Sequence, residues 1–503
     1  MLQVGILEAF RIAVVTVSDP VNFFLIVLGT LLGMIFGILP GLGGTVALAL
    51  LIPLTFGMDP LVAFMLLAAS KGGSNFGGSI TAILINTPGT APNAATLIDG
   101  HPMAKKGKAG EALGASAGAS AFGAIFGIVI LALSIPVMLI IILAFGPPEI
   151  FWLGVWGLTV IAIVVKGRVL TGLISAGFGL LFSMHGINTI TAATRWTYGL
   201  VPMADGFKLV PSLIGLFAIA EMISLVAKGR TIADTDAVEV HGGQWDGLRA
   251  VFTHKWIFLR SAVIGTIIGA IPGVGGSAAN YIAYFQAVQT SKNPESFGTG
   301  DVRGVIASEA SNDAKDGGAF LPTLGLGVPG SASMAVLLGA FLLHGIRPGP
   351  LLFENHLDVV TVIIVSLLIS NVLTSSIGLV IAEHLTKITR IDIRYVAPVV
   401  ISIAFFGSYA LNNNVFDIFL TLLFGVVGFF MIKMNVSRVP LILGMVLGPI
   451  VEENFFRSLQ VSSGSYAVFV RSPLAIMLLL LVLLSLFLPY IKLALRNREV
   501  SFL

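Results

Sequence analysis

Apolar runs long enough to cross a bilayer recur from one end of this chain to the other, and no polar block between them is long enough to fold as a soluble domain. Residues 21–39, 149–165, 359–382, 415–432 and 474–491 each approach the roughly 20 residues that a helix needs to span ~30 Å of hydrocarbon. Composition agrees. The chain is 56% hydrophobic and 11% charged, against about 25% charged in soluble domains, so in water it could not cover its own surface with polar groups. The reading is an all-α integral membrane protein with about 10–12 transmembrane helices, counted from spans of this length. With no cysteine there is no disulfide, thiolate zinc site or cysteine nucleophile. The formal charge of +3 points to positive cytoplasmic loops rather than to nucleic acid. Residues 1–20 lack a signal-peptide pattern, since no Lys or Arg precedes the apolar stretch and Glu8 interrupts it.

The strongest internal signal is a repeat. Residues 33–44 read GMIFGILPGLGG and residues 265–276 read GTIIGAIPGVGG. In both halves an apolar stretch follows, then a polar Gly/Ser/Asn-rich stretch, then a second Pro-Gly at Pro88-Gly89 and at Pro329-Gly330. Internal repeats of this kind are common in secondary transporters.

Charge placement sets the orientation. Lys387, Arg390, Arg394, Lys433, Arg438, Lys492, Arg496 and Arg498 fall on one side if residues 359–383, 393–411, 415–432, 440–455 and 474–491 each cross once, while Arg347, Arg457 and Arg471 fall on the other. That bias makes the C-terminus cytoplasmic. The loop after the first Pro-Gly hairpin carries Lys105, Lys106 and Lys108, and its counterpart in the second half carries Arg347 alone. Equivalent loops on opposite faces mean two inverted-topology repeats with discontinuous helices and re-entrant hairpins. The organisation expected is an N-terminal interfacial or membrane helix (1–19), a first inverted repeat (20–227), a cytoplasmic linker (228–256), a second inverted repeat (257–450), and a periplasmic loop, final transmembrane helix and cytoplasmic tail (451–503).

Pro40-Gly41-Leu42-Gly43-Gly44 and Pro272-Gly273-Val274-Gly275-Gly276 each put one Pro and three Gly into five residues. Pro removes an amide donor and clashes with the preceding turn, and Gly weakens a helix by up to ~1 kcal/mol. Such clusters end a helix rather than kink it. Exposed half-helix N-termini suit anions, and unwound carbonyls with side-chain oxygens suit sodium. The expected substrate contacts are therefore Gly43, Gly44, Ser79, Asn86, Thr87 and Gly89 from one half, and Gly275, Gly276, Ser277, Pro329, Gly330 and Ser331 from the other. The coupling-ion candidates are Asn86, Thr87, Glu309, Asn312 and Asp313. A second reading keeps the glycines as close-packing positions only, and a second reading of residues 309–316 is a solvated loop. Lys71 is either a snorkelling lysine or a partner for Asp313 or a substrate carboxylate.

Other matches carry less. Residues 325–330 fit G-x-G-x-x-G without a βαβ context. Gly114, Ser116 and Gly118 sit in a small-residue run of the kind that packs membrane helices, as do Gly29, Gly33, Gly37 and Gly41. No Walker A or H-E-x-x-H pattern occurs, so the chain is read as a non-enzyme with no cofactor beyond sodium as a coupling ion.

At these motifs the chain resembles the large membrane subunit of tripartite tricarboxylate transporters, the TctA family. The resemblance rests on PGLGG (40–44), LTFGMDP (54–60), GGSITAILINTPG (77–89), ATLIDGHPMAKKGKAGEALG (95–114), IPGVGG (271–276), LGVPGSASMAVLLGAFLLHGIRPGP (326–350) and LILGMVLGPIVEENFFRS (441–458). It runs over nearly the full length. It implies a bacterial inner-membrane protein that imports a small tricarboxylate or dicarboxylate on a sodium or proton gradient. The implied partners are a small four-helix membrane subunit of TctB type and a periplasmic solute-binding protein of TctC type, with no nucleic acid. The chain departs from the family pattern at residues 70–76, where Lys71 stands, and at Asn312-Asp313. An intramembrane enzyme and a passive anion channel stay as alternatives on the sequence alone.

Overall fold

The computed structural model describes residues 5–142, 144–164, 169–188, 192–228, 238–240, 242–272 and 275–500. Apart from one short hairpin, β1 (Gly186–Ile187) paired with β2 (Thr194–Arg195), the regular secondary structure of the described residues is helical. The first half holds α1 (Ile6–Ser18), α2 (Pro20–Ile38), α3 (Gly43–Leu51), α4 (Pro60–Ile85), α5 (Ala94–Met103), α6 (Ala109–Ile142), α7 (Pro147–Val164), α8 (Val169–Ser183), α9 (Leu209–Ile214) and α10 (Ala220–Lys228). The second begins with α11 (Gln244–Thr253), α12 (Lys255–Gly269), α13 (Gly275–Gln289), α14 (Val302–Leu326), α15 (Ala332–Leu343), α16 (Pro350–Asn355) and α17 (Leu357–Thr386). It closes with α18 (Ile393–Asn412), α19 (Val415–Lys433), α20 (Val439–Val461) and α21 (Pro473–Val500). Among the described residues seven helices are long and apolar enough to cross a membrane, or eight if α11 and α12, bent by 80°, count as one.

Two helices at the centre break the apolar rule. α4 carries SKGGSNFGGS at 70–79 and α14 carries SEASNDAKDGG at 308–318, and all of these residues are buried. Residues 309–316 are thus a buried helix, not a solvated loop. Both helices start and stop by the same devices. Asp59 and Asp301 cap the N-termini, accepting from Leu61 and Arg303 amides at 2.9 Å each. Asn86 (φ 59°) and Gly327 (φ 69°) end them in the left-handed region.

Small residues let backbones close on this polar centre. A Cβ on Gly33 or Gly37 of α2 would lie 2.0 and 2.2 Å from the carbonyl oxygens of Ser70 and Ser74. On α12, a Cβ on Gly269 would lie 2.2 Å from the Lys315 carbonyl oxygen. Each half's later long helix covers the other half's polar helix. Ser370 of α17 donates to the Ala69 carbonyl of α4 at 2.6 Å, and Gly123 and Gly127 of α6 lie against Ala310 and Ala314 of α14. Gly110 and Gly114 of α6 in turn pack on Gly242 and Gln244, so the small-residue run is a packing surface for α11.

The ends of α14 are marked. At its N-terminus the Asp99 carboxylate accepts the Gly298, Gly300 and Asp301 amides at 2.8–2.9 Å. At its C-terminus Leu324 O accepts from the Gly349 amide at 3.0 Å. Lys105 follows Asp99 at the first end, and Arg347, paired to Glu453 at 3.2 Å, precedes Gly349 at the other. The 25 residues between span ~37 Å at 1.5 Å per residue.

Candidate functional site

Both predicted breaks are real. α2 stops at Ile38 and α3 restarts at Gly43, with Gly41 (φ 90°) and Gly43 (φ 58°) making a turn that side chains resist. α12 stops at Gly269 and α13 restarts at Gly275, with Gly273 and Val274 outside the described residues. The segments after α4 and α14 fold back: the Gly89 amide donates to the Gly78 carbonyl at 3.3 Å, and the Gly330 amide to Thr323 Oγ1 at 3.2 Å.

These returns bring four helix starts around one cavity of about 990 Å³. They are the N-terminus of α3, the turn at Thr90–Pro92 ahead of α5, the N-terminus of α13 and the N-terminus of α15. Cross-links join the halves there. Thr45 Oγ1 meets Ser333 Oγ at 2.9 Å, and Asn280 Nδ2 donates to the Pro92 carbonyl at 3.0 Å. The floor is charged: Lys71, Asn75, Lys315 and Asp316 line it. Lys71 Nζ lies 2.5 Å from Asp316 Oδ2, Lys315 Nζ lies 3.2 Å from Asp316 Oδ1, and Asn75 Nδ2 donates to Asp316 Oδ2 at 2.7 Å. Toward the α19–α20 turn the lining passes Asn435, Ser437 and the Glu221–Arg438 pair, which is 2.6 Å long.

Gly43, Gly44, Gly89, Gly276, Ser277, Gly330 and Ser331 come together on this cavity. Gly275 opens α13 immediately before Gly276. Pro329 precedes Gly330 outside the lining, and Thr87 is held by its amide on the Thr81 carbonyl at 3.3 Å. Asn86 lines a separate recess with Ile98, His101, Lys105 and Lys106. It therefore does not join Glu309 or Asn312, because the left-handed cap at the end of α4 turns the chain beyond the cavity. Ser79 faces away from the cavity to Glu309, 2.8 Å from both carboxylate oxygens. Asn312 and Asp313 are buried on α14, with both Asn312 side-chain polar atoms and Asp313 Oδ2 lacking a hydrogen-bond partner. Lys71 pairs with Asp316, not with Asp313.

The glycines at the two Pro-Gly returns, which line the cavity, are also closely packed from behind. A Cβ on Gly89 would lie 2.0 Å from the Gly37 carbonyl oxygen, and one on Gly330 would lie 2.8 Å from Ala319 Cα. Sequence reasoning missed Thr96 and Ser120, which both donate to Glu309. Their signal was weak, since Ser120 belongs to a run that reads as helix packing.

Long apolar helices wrapped around a buried polar centre and its cavity define a multi-pass α-helical membrane protein. Residues 23–443 match the Tripartite tricarboxylate transporter TctA family, and the chain belongs to it. It is 35% identical over 475 residues, 92% of each chain, to an uncharacterized 52.8 kDa protein in the TAR-I ttuC' 3' region of Agrobacterium vitis. It is 36% identical over 215 residues to an uncharacterized protein in the TAR-II ttuC' 3' region of the same organism, covering 43% of this chain and 89% of that one. No solved structure matches.

Proposed function

We propose that the chain is the large transmembrane subunit of a secondary transporter that imports a small tricarboxylate or dicarboxylate across the bacterial inner membrane. A sodium or proton gradient drives uptake, a periplasmic binding protein delivers the solute, and a small four-helix subunit completes the membrane complex. The observation that carries this reading is the central cavity. Four helix starts bring their positive dipole ends to it, and α3 opens there with no side-chain cap on its first amides, with Lys71 and Lys315 beneath and Thr45, Ser277 and Ser333 on its walls. A carboxylate needs such donors, because burying it unpaired is prohibitive. A site built largely of neutral donors also releases the anion again.

An inverted repeat about this cavity is part of the proposal. It is supported by the matched caps of α4 and α14, by the exchange of α6 and α17 as covers, and by Lys105 and Arg347 at opposite ends of α14. In this arrangement α2–α3 and α12–α13 are re-entrant, and α4 and α14 cross the membrane despite their polarity, which brings the spans to about 10–12. Purified chain reconstituted in liposomes with its partners tests the function. Solute accumulating against its gradient, dependent on an imposed ion gradient and on the binding protein, is expected. Equilibration without accumulation indicates a channel, and chemical conversion of the solute indicates an enzyme.

A further inference from the structure

The polar centre has a part that the carboxylate cavity does not use. Glu309 and Asp313 lie one turn apart on α14, with 0% and 3% of their surface exposed. Three hydroxyls from three different helices aim at Glu309. Ser79 of α4 lies 2.8 Å from both carboxylate oxygens, Ser120 of α6 lies 2.9 Å from Oε2, and Thr96 of α5 donates to Oε1. Asn75 Nδ2 donates to Asp313 Oδ1 at 2.9 Å, but Asp313 Oδ2 is enclosed and has no hydrogen-bond partner. An unpaired buried carboxylate oxygen is costly and calls for a reason.

Charge makes the same point. Lys71 and Lys315 both pair with Asp316. Among the described residues no ammonium or guanidinium comes within ion-pair distance of Glu309 or Asp313. Three carboxylates thus stand against two ammoniums, and one further positive charge brings the cluster to neutrality.

We propose that Glu309 and Asp313, with the hydroxyl oxygens of Ser79, Thr96 and Ser120, form a site for one sodium ion, separate from the carboxylate cavity. The assignment rests on the reading of the chain as an ion-coupled transporter. A hydroxyl has two acceptor lone pairs besides its proton, so the three that donate to Glu309 serve equally as ligands. An all-oxygen set suits a hard cation. Two carboxylates fit a single charge, and among the described residues no three His, Asp or Glu side chains gather into a metal-ligating group. The site is wired to the cavity through Asn93, whose Nδ2 donates to Ser79 Oγ at 2.7 Å and to the Asn75 carbonyl at 3.3 Å. Thr90, on the cavity wall, bonds the Asn93 amide oxygen. Holding Ser79 therefore holds the Thr90–Pro92 wall, and by linkage sodium and carboxylate raise each other's affinity by the same factor.

The test is equilibrium binding of radiolabelled sodium to the purified full chain in detergent, with potassium balancing the salt. Wild type is expected to bind saturably. Ser120→Ala and Thr96→Val should each weaken binding roughly tenfold or more, while Thr96→Ser, which keeps the hydroxyl, binds as wild type. Elution as a single species checks each variant's fold, and the Val/Ser pair at position 96 carries the test if Ser120→Ala does not fold. Unchanged sodium affinity in Ser120→Ala and Thr96→Val, or no sodium binding by wild type, overturns the site. Uptake in liposomes is scored separately. Sodium-driven uptake with unaltered sodium dependence in the variants keeps the transporter and removes the site. Hydroxyl-dependent sodium binding without uptake by wild type keeps the site and removes the transporter.

Discussion

Lys71 Nζ and Asp316 Oδ2 lie 2.5 Å apart, joining α4 to α14 across 245 positions of chain at the floor of the cavity. Asp316 also holds Lys315 at 3.2 Å, so one carboxylate serves two ammoniums. The two partners are therefore not equivalent. Asp316→Asn leaves two buried ammoniums without their ion-pair partner and should cost about 3–5 kcal/mol. Lys71→Met leaves the Lys315–Asp316 pair intact and should cost less. Thermal unfolding of the purified variants in detergent measures both, and the reverse order contradicts the arrangement.

Gly89→Ala and Gly330→Ala should fail to give folded protein, because a Cβ at either position meets backbone atoms at 2.0 and 2.8 Å. Gly177→Ala in α8, where a Cβ meets nothing within 4 Å, should leave the yield unchanged. Elution profiles of the three variants after extraction decide the matter. Normal yield of Gly89→Ala contradicts the packing assigned to the Pro-Gly returns.

Apolar runs gave the class, and the Pro/Gly clusters at 40–44 and 272–276 gave the breaks, because helix breakers act locally. The cavity-lining glycines followed from those breaks. Asn86 and Ser79 did not follow. Asn86 reaches a different recess through the left-handed cap that ends α4, and Ser79 turns to Glu309 because of the helix face it occupies. Thr96 and Ser120 join Glu309 only through the packing of α5 and α6 on α14. A long-range contact of that kind leaves no local pattern in either segment.

Orientation is testable because the chain carries no cysteine. Single cysteines at Lys105 and Arg347 should label from opposite faces. The expected outcome is that Arg347→Cys reacts with an impermeant maleimide in intact cells, and Lys105→Cys reacts only after permeabilisation. Labelling of both from one face removes the inverted repeat.

Asp301 caps α14 outside the membrane spans. Burial pushes its carboxyl up, but hydrogen bonds from Arg303, Ser296 and the Arg303 amide outweigh this and hold it below its ordinary 3.8. A depressed folded value means the cap's stabilisation is complete at neutral pH and is lost as pH falls below 3.8 and through the folded value. Asp301→Ala should cost about 1–2 kcal/mol at neutral pH and should flatten that acid limb of the stability profile. Thermal unfolding from neutral pH to pH 3 measures both, and an equal penalty at the two ends contradicts the cap.

Equilibrium binding decides whether a carboxylate sits between the two halves. Purified wild-type chain is titrated with a panel of labelled di- and tricarboxylates, and the tightest is then titrated into Ser277→Ala/Ser333→Ala, which removes one hydroxyl from α13 and one from α15. Hydrogen bonds to a charged group contribute about 1.5–3 kcal/mol each, so affinity should fall roughly tenfold or more in a variant that still elutes as a single species. Saturable binding with unchanged affinity in that variant, or no binding of any carboxylate in the panel by wild type, contradicts it.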